Sequence, residues 1–405
     1  MGKIEEQGLP SREAKRNAAK RLVLSLMHRE GVMSQTRIVE KTGIRPGTVQ
    51  MLIEELMGEG LVRVSGEGKS KGGRRPTLLE VNPNARWTIG VDLDEERIFA
   101  GLVDLKGSIV REVGRTRCRF ESQDDLLEAV KQVIRELVAQ VPKTTPLLGA
   151  GIGLPGFVDR QRGIALHCSY YDWMRDIPVK EPLEREFGFP VRIDNDTVVA
   201  TLGEKWYGAG KGVGNFLYAD LGETVGLGIV IDGRLCTGAS GNAGELGHTV
   251  IQRNGPLCIC GNEGCVEGIA SGMALRREAR EQVRKGVVSL ISDMSADSGS
   301  VPLETILSAA ERGDKVAYKL ITDMAETLGL ALSNAVNMLN PELLILGGAL
   351  IGARAIVTEA VGRSIRLHCL SPIAAALRIV ASDLAEKSGI LGASTLISQE
   401  LFDFD

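Results

Sequence analysis

An α/β fold in two parts is predicted: a small head with a winged helix-turn-helix pattern, then a larger body of two lobes. Three observations carry this expectation. Charge divides the chain, with 15 Lys and Arg against 10 Asp and Glu over residues 1–85, and 33 against 42 over the remainder. Apolar residues recur at helical spacing before residue 60, and as strands alternating with helices from Trp87 onward. Glycine turns follow two of those strands, at Gly151-Ile152-Gly153-Leu154-Pro155-Gly156 and at Leu346-Gly347-Gly348. With 405 residues, 43% of them hydrophobic, the chain can bury more than one core. The expected divisions are 1–84 for the head, 85–195 for the first lobe and 196–385 for the second. A C-terminal helix at about 386–405 is expected to complete the first lobe.

In the head, Ala18, Leu22, Val23, Leu26 and Met27 lie at helical spacing and predict a helix that stops near Gly31. Ser34 is placed to cap a short second helix with Ile38 and Val39 inward, ending at Thr42-Gly43. Pro46 suits the first turn of a third helix that buries Val49, Leu52, Ile53 and Leu56 and ends at Glu59-Gly60. Two short helices joined by a turn containing glycine form a helix-turn-helix. Leu61–Val64 and Thr77–Val81 then read as the strands of a hairpin, with Ser65–Gly73 as its glycine-rich turn.

This arrangement points to double-stranded DNA as a partner. Arg45, Thr48 and Gln50, early on the third helix, are placed to reach base edges in the major groove. Lys69, Lys71, Arg74 and Arg75 on the wing are placed to neutralise backbone phosphates. A dimer is the usual way to read paired half-sites, and a tetramer is the alternative.

In the body, Thr88–Leu93 reads as a buried strand with Arg97–Asp104 as its hairpin partner. An amphipathic helix follows over Asp124–Val141, with Leu127, Val130, Val133, Ile134 and Leu137 on one face. Leu148–Gly156, Asn215–Asp220, Gly226–Ile231 and Leu343–Ala349 read as further strands and turns. The Ala- and Leu-rich stretch Ala317–Leu339 reads as a core helix. Two mixed sheets with covering helices imply two lobes around a cleft, the usual place for a small ligand.

The densest chemistry lies at residues 245–267. His248, Cys258, Cys260 and Cys265 fall within eighteen positions, interleaved with glycines and flanked by Glu245 and Glu267. Three thiolates and an imidazole suit a closed, tetrahedral, structural zinc site that pins a loop. Cys118, Cys168, Cys236 and Cys369 are scattered. An odd total of seven cysteines argues against a disulfide framework and for a reducing cytoplasm. No apolar run has the length of a membrane span, so no membrane insertion is expected.

Together these residues resemble the ROK family (repressor, open reading frame, kinase), and in particular its winged-helix repressor branch. The matching elements are Gly72-Gly73-Arg74-Arg75-Pro76 before Leu79-Glu80-Val81-Asn82, then the glycine loop at 151–156, and Asn195-Asp196. Glu245-Leu246-Gly247-His248, the cysteine cluster with Glu267, and Leu346-Gly347-Gly348 complete the set. The resemblance implies an actin-like, sugar-kinase type of body. It implies that Asn195, Asp196, Glu245, His248 and Glu267 contact a sugar or sugar phosphate. In relatives that phosphorylate sugars, the position of Asp196 is that of the general base. His248 is then expected to serve the metal through one ring nitrogen and the sugar through the other.

The sequence departs from the family's kinases where nucleotide phosphates bind. Those kinases carry Asp-x-Gly-Gly-Thr after the opening strand, and this chain has Asp92-Leu93-Asp94-Glu95-Glu96. The second loop, Asp220-Leu221-Gly222-Glu223-Thr224-Val225-Gly226, lacks the Gly-Thr-Gly turn, and Thr197-Val198 replaces the usual Ala-Asn. Loss of kinase activity is therefore expected, because phosphoryl transfer depends on positioning and charge neutralisation. Asp196 would be a vestige of the base and no residue catalytic. The expectation is a sugar-responsive transcriptional repressor of carbohydrate metabolism. The alternatives are an active sugar kinase with an accessory DNA-binding head, or a repressor controlled by a protein partner.

Overall fold

The structure, a computed structural model, describes residues 12–69, 75–94, 96–116, 120–294 and 301–402. The head contains α1 (Arg12–Glu30), β1 (Met33–Ser34), α2 (Gln35–Thr42), α3 (Pro46–Gly58), β2 (Val62–Glu67) and β3 (Thr77–Val81). Ser34 accepts from the Arg37 amide at 3.3 Å, which satisfies one of the open donors at the start of α2. Gly43 ends α2 in the left-handed region, at φ 67°. Val49, Leu52, Ile53 and Leu56 bury one face of α3 in a core shared with Val23, Leu24 and Met27. Arg16 and Lys20 of α1 reach Glu55 of α3 at 2.5 and 3.0 Å.

Several details of the head differ from expectation. Leu22 is 41% exposed and Leu24 is buried in its stead, so the buried stripe of α1 runs through Val23, Leu24, Leu26 and Met27. Ala18 is exposed, and Val39 is only half-buried. Strand β2 continues past Val64 to Glu67, because a bulge between Val64 and Gly66 lets Gly66 pair with Leu78. The short β1 adds a third strand, giving the order β1-β3-β2.

The body begins with β4 (Trp87–Leu93), β5 (Arg97–Asp104), β6 (Ile109–Thr116), α4 (Gln123–Val138) and β7 (Leu147–Leu154). A small antiparallel sheet that the sequence reading did not anticipate follows: β8 (Phe157–Asp159), β9 (Ile164–His167) and β10 (Arg175–Pro178). Then come α5 (Lys180–Phe187), β11 (Val191–Asn195) and α6 (Asp196–Tyr207). The second half holds β12 (Phe216–Leu221), β13 (Val225–Ile231), β14 (Arg234–Leu235), α7 (Val266–Ala270), α8 (Gly272–Arg284), α9 (Leu290–Met294) and α10 (Leu303–Glu311). It closes with α11 (Lys315–Leu339), β15 (Leu343–Gly347), α12 (Arg354–His368), α13 (Ser371–Ala376), β16 (Arg378–Ala381) and α14 (Lys387–Ser398).

The two large sheets repeat one pattern. Their orders are β6-β5-β4-β7-β11 and β14-β13-β12-β15-β16. In each, three parallel strands are extended on one side by two antiparallel ones. Helices α6 and α14 pack against one another, and α14 also covers the first sheet. Glycine permits that approach: a Cβ on Gly392 would stand 1.5 Å from the Val199 carbonyl oxygen, and one on Gly151 would stand 1.8 Å from that of Ala393. Helix α11 buries Ala317, Ile321, Leu328 and Leu332 in the second lobe's core, as its composition suggested. Head and body share a core, since Leu105 and Phe402 join the head's cluster with Trp206 packed beside them. No helix among the described residues is long and apolar enough to cross a membrane.

Candidate functional site

Asn195 ends β11 and caps α6, so the topology delivers Asn195-Asp196 to the mouth between the lobes. The Asn195 side chain accepts from the Val198 amide at 3.1 Å and donates to the Gly156 carbonyl at 3.0 Å. That second bond fixes the glycine loop after β7 against the start of α6. Asp196 accepts from the Thr197 amide at 2.7 Å, where the positive end of the helix favours a carboxylate. Both residues line a polar pocket together with Glu245, His248 and Glu267. All five residues for which the resemblance implies sugar contact therefore converge, from segments fifty and seventy positions apart.

The pocket's far wall is built around Glu267, only 4% exposed. Its carboxylate accepts from the Val225 amide at 3.2 Å and stands 3.9 Å from His248 Nδ1. Glu245 lies on the open side, with its oxygen 4.0 Å from His248 Nε2. Burial pushes both carboxyls upward, while His248 pulls them down. Gly156 and Thr224, from the two loops singled out in the sequence, also line the pocket, and so do His167, Ser169 and Tyr170, which were not singled out.

His248, Cys258, Cys260 and Cys265 bring one donor atom each to within 4.8 Å of one another. Cys258 Sγ is 3.7 Å from His248 Nδ1, and Cys260 Sγ is 3.8 Å from Cys265 Sγ. A tetrahedron with metal–sulfur bonds near 2.3 Å has edges of about 3.8 Å, so the donor set and spacing fit a metal ion. The loop reaches this shape through a turn in which the Cys258 amide donates to the Asn262 carbonyl at 2.8 Å. Gly264, at φ 76°, completes it, because a Cβ there would stand 1.7 Å from the Gln252 carbonyl oxygen. Burial raises the Cys258 thiol to about 12 and also raises Cys265, which a bound cation would reverse by requiring thiolates. His248 thus turns Nδ1 to the thiols and Nε2 to Glu245. Among the described residues no disulfide links the cysteines, and Cys168 and Cys369 are buried.

A second cleft lies on the other side of Asp196 and Thr197. Asp92, Asp94, Asp220, Glu223, Asp383 and Glu386 line it with Arg97 and Arg354. The arginines are spent on these carboxylates: Arg97 holds Asp94 at 2.5 Å and Glu386 at 3.1 Å, and Arg354 holds Asp383 at 2.6 Å. Burial and the nearby Asp94 push the Asp220 carboxyl up to about 6. At its edge Arg276 of α8 bridges the lobes, 2.9 Å from Glu223 and 3.2 Å from Glu96, which also accepts from Tyr170 at 3.1 Å.

In the head, Arg45, Thr48 and Gln50 are exposed together at the start of α3, with Gln50 donating to Glu54 at 3.0 Å. Lys69 and Arg75 are exposed at the ends of the wing strands, and Arg75 lies 3.9 Å from Glu67. Lys71 and Arg74 lie outside the described residues.

Helices α6 and α14 both run from the clefts toward the head. Tyr207, at the end of α6, and Phe402, beyond α14, meet His28 of α1 with ring centroids 5.8 and 4.8 Å away. Desolvation lowers the His28 imidazole to about 4, with the Lys211 charge acting in the same direction.

Comparison with known proteins agrees with this architecture. The chain is 33% identical over 387 residues to the xylose repressor of Caldicellulosiruptor bescii, covering 95% of this chain and 96% of that protein. It superposes on the crystal structure of a ROK family transcriptional regulator, a homologue of the Escherichia coli MLC protein, with a TM-score of 0.79 at 28% identity. That match covers 96% of this chain and 97% of the other. A ROK glucokinase from Streptomyces griseus, solved with glucose and AMPPNP, matches with a TM-score of 0.71 at 30% identity. It covers 77% of this chain and 99% of its own. The ROK family model matches residues 88–400, and with the two-lobed body already described this places the chain in the ROK family.

Proposed function

We propose that this chain is a sugar-responsive, DNA-binding transcriptional repressor of carbohydrate metabolism. The observation that carries the proposal is the polar pocket at the N-terminus of α6, on a chain whose head is a winged helix-turn-helix. Xylose-repressor likeness extends over 95% of the chain, head included, whereas the glucokinase match covers 77% of it.

In this reading Asn195, Asp196, Glu245, His248 and Glu267 hold the sugar. Carboxylates accept hydrogen bonds from vicinal hydroxyls, and a neutral imidazole either donates or accepts. His248, Cys258, Cys260 and Cys265 hold a structural zinc ion, which fixes the loop carrying His248 and Glu267 against the pocket. Arg45, Thr48 and Gln50 read bases, while Lys69, Lys71, Arg74 and Arg75 position the head on phosphates. The domain divisions are 1–84, 85–195 with the C-terminal helix, and 196–385. The working form is a homodimer or tetramer in the cytoplasm.

The head is linked to the pocket through α6. Twelve helical residues at about 1.5 Å each span roughly 18 Å, from Asp196 in the pocket to Tyr207 against His28. A sugar that binds one lobe arrangement better than the other shifts the position of that end, and with it the spacing of two heads on DNA.

The chain is not a kinase in this reading. The second cleft is then a former nucleotide site: six carboxylates line it, and the arginines among them are already paired. Selection of tight-binding duplexes from a random pool, followed by titration with xylose, glucose and N-acetylglucosamine, tests the proposal. One sugar should change the affinity for the selected duplex about tenfold or more. No enriched duplex, or ATP turnover with any of the sugars, would sink it and favour the kinase reading that the glucokinase likeness supports.

A further inference from the structure

A cleft between the head and the body carries a separate site. Arg21 of α1, Arg160 from the loop after β8, Arg192 of β11, Lys205 of α6 and Arg234 of β14 all line it. Five cations from five elements, drawn from the head and both lobes, meet around a recess of about 650 Å³. That volume is in the range of small-molecule sites. The floor is partly apolar, with Ile193, Leu396 and Phe402.

Carboxylates offset only part of this charge. Among the described residues Asp194 is the one acidic residue of the lining, and it accepts from Arg160 at 2.7 Å. Arg192 reaches Glu400 at 2.6 Å, and Lys205 lies 4.9 Å above the Trp206 ring. Among the described residues, Arg21 and Arg234 are exposed and have no ion-pair partner within 4.0 Å. Like charges gathered in a recess repel one another unless a counter-charge enters. Four of the five are guanidinium groups, whose planar fork matches phosphate oxygens two at a time.

We propose that this cleft binds a small phosphate-bearing anion, either free phosphate or a phosphorylated sugar, between the head and the body. A small anion suits a recess of about 650 Å³, and a DNA backbone lying across its mouth is the alternative that the salt-dependence measurement below separates. Since Arg21 belongs to the head and the other four cations to the body, anion affinity depends on how the head sits. Linkage then requires that the anion and DNA alter each other's affinity by the same factor. The site is distinct from the interlobe sugar pocket, which Asp194 adjoins only through its sequence neighbour Asn195.

Calorimetric titration of the full chain with inorganic phosphate and with glucose 6-phosphate, at ionic strength held constant with sodium chloride, tests the site. Saturable binding is expected, weakened about tenfold or more by Arg234→Gln and by Arg21→Gln. Thermal shift with the cognate sugar should be unchanged in both variants, which confirms that they fold. Asp196→Asn should leave the phosphate titration unchanged, which separates this site from the sugar pocket and from any failure of the repressor reading. Tighter binding of glucose 6-phosphate than of phosphate, with the same dependence on Arg234, identifies a phosphorylated sugar; equal binding identifies free phosphate. Non-saturating heats, or titrations indifferent to both substitutions, overturn the proposal. So does a loss of DNA salt dependence in Arg234→Gln without any phosphate binding, which would assign the cations to the DNA backbone.

Discussion

The two clefts flanking Asp196 have opposite chemistry on one scaffold. On one side, Asn195, Asp196, Glu245, His248 and Glu267 face a common space, and the ring and carboxylates stand 3.9 to 4.0 Å apart, beyond direct hydrogen bonding. On the other side, Asp94, Glu386 and Asp383 are closed by Arg97 and Arg354 at 2.5 to 3.1 Å. In the first cleft the His248 ring and the two glutamates are not bonded to one another, whereas in the second Arg97 and Arg354 pair with three of the six carboxylates. The repeat of strand order shows that the fold alone did not decide this. A few side chains at the loop after β4 and the start of α14 did. Function therefore has to be read from the site, and the fold shared with a glucokinase does not supply it.

The difference can be broken or sharpened by substitution. The largest effect is expected from Cys260→Ser, which removes one of the four donors proposed to hold zinc. Zinc measured by mass spectrometry should fall from about one ion per chain to nearly none, and the sugar response should go with it. Unchanged metal content would take Cys260 out of the ligand set.

Acidification probes the junction where the helices from both clefts end. His28 is lowered to about 4 in the folded chain and has an ordinary value near 6.5 when unfolded. Between those values the unfolded state binds a proton that the folded state refuses. The stability at this junction is complete above about pH 6.5 and falls as pH drops toward 4, by up to about 3 kcal/mol. Melting temperatures from pH 7.5 to 4.5 should decline more steeply than in His28→Leu. Parallel curves for the two proteins would show that His28 carries none of the change.

Asp196→Asn keeps the shape of the pocket proposed to hold the sugar and removes one of its three carboxylates. Affinity for the cognate sugar should fall by about 1.5 to 3 kcal/mol, or roughly 10- to 150-fold, with zinc content unchanged. An unaltered dissociation constant would exclude Asp196 from the sugar contacts.

The smallest change is expected in the second cleft. Asp94→Gly combined with Glu96→Thr removes one carboxylate from the second cleft and one from its edge, and each like charge would cost a bound phosphate about 1 to 4 kcal/mol at contact distance. A weak thermal shift with magnesium ATP should appear in the double variant and not in the parent chain. If the parent shifts equally, the contrast between the clefts is wrong.

Much of the head could be read locally. The caps at Ser34 and Gly43, the early Pro46 and the stripe from Val49 to Leu56 act within one or two turns, and the structure has each of them. The cysteine cluster was equally legible, because its spacing brings the four donor atoms together within one loop. The pocket was not, since nothing in spacing joins Asn195 to Glu267; only the family resemblance linked them. The sheet of β8, β9 and β10 escaped because its strands are three or four residues long and lack clean alternation. Leu22 was misplaced because Leu22, Val23 and Leu24 all fit a helical stripe, and only tertiary packing selects among them. Arg276 escaped for a similar reason: a cation on an amphipathic helix reads as solvated until its partners across the cleft, Glu96 and Glu223, are seen.

The central claim is that this chain binds a sugar and no longer uses ATP. Its most direct test is a thermal-shift titration of the zinc-loaded protein against a panel of sugars, sugar phosphates and magnesium ATP. Binding to the folded state raises the melting temperature as ligand exceeds its dissociation constant. A shift with one class of sugar and none with ATP is the predicted result. A shift with ATP, followed by sugar-dependent release of ADP, would contradict the account and make the second cleft a working nucleotide site.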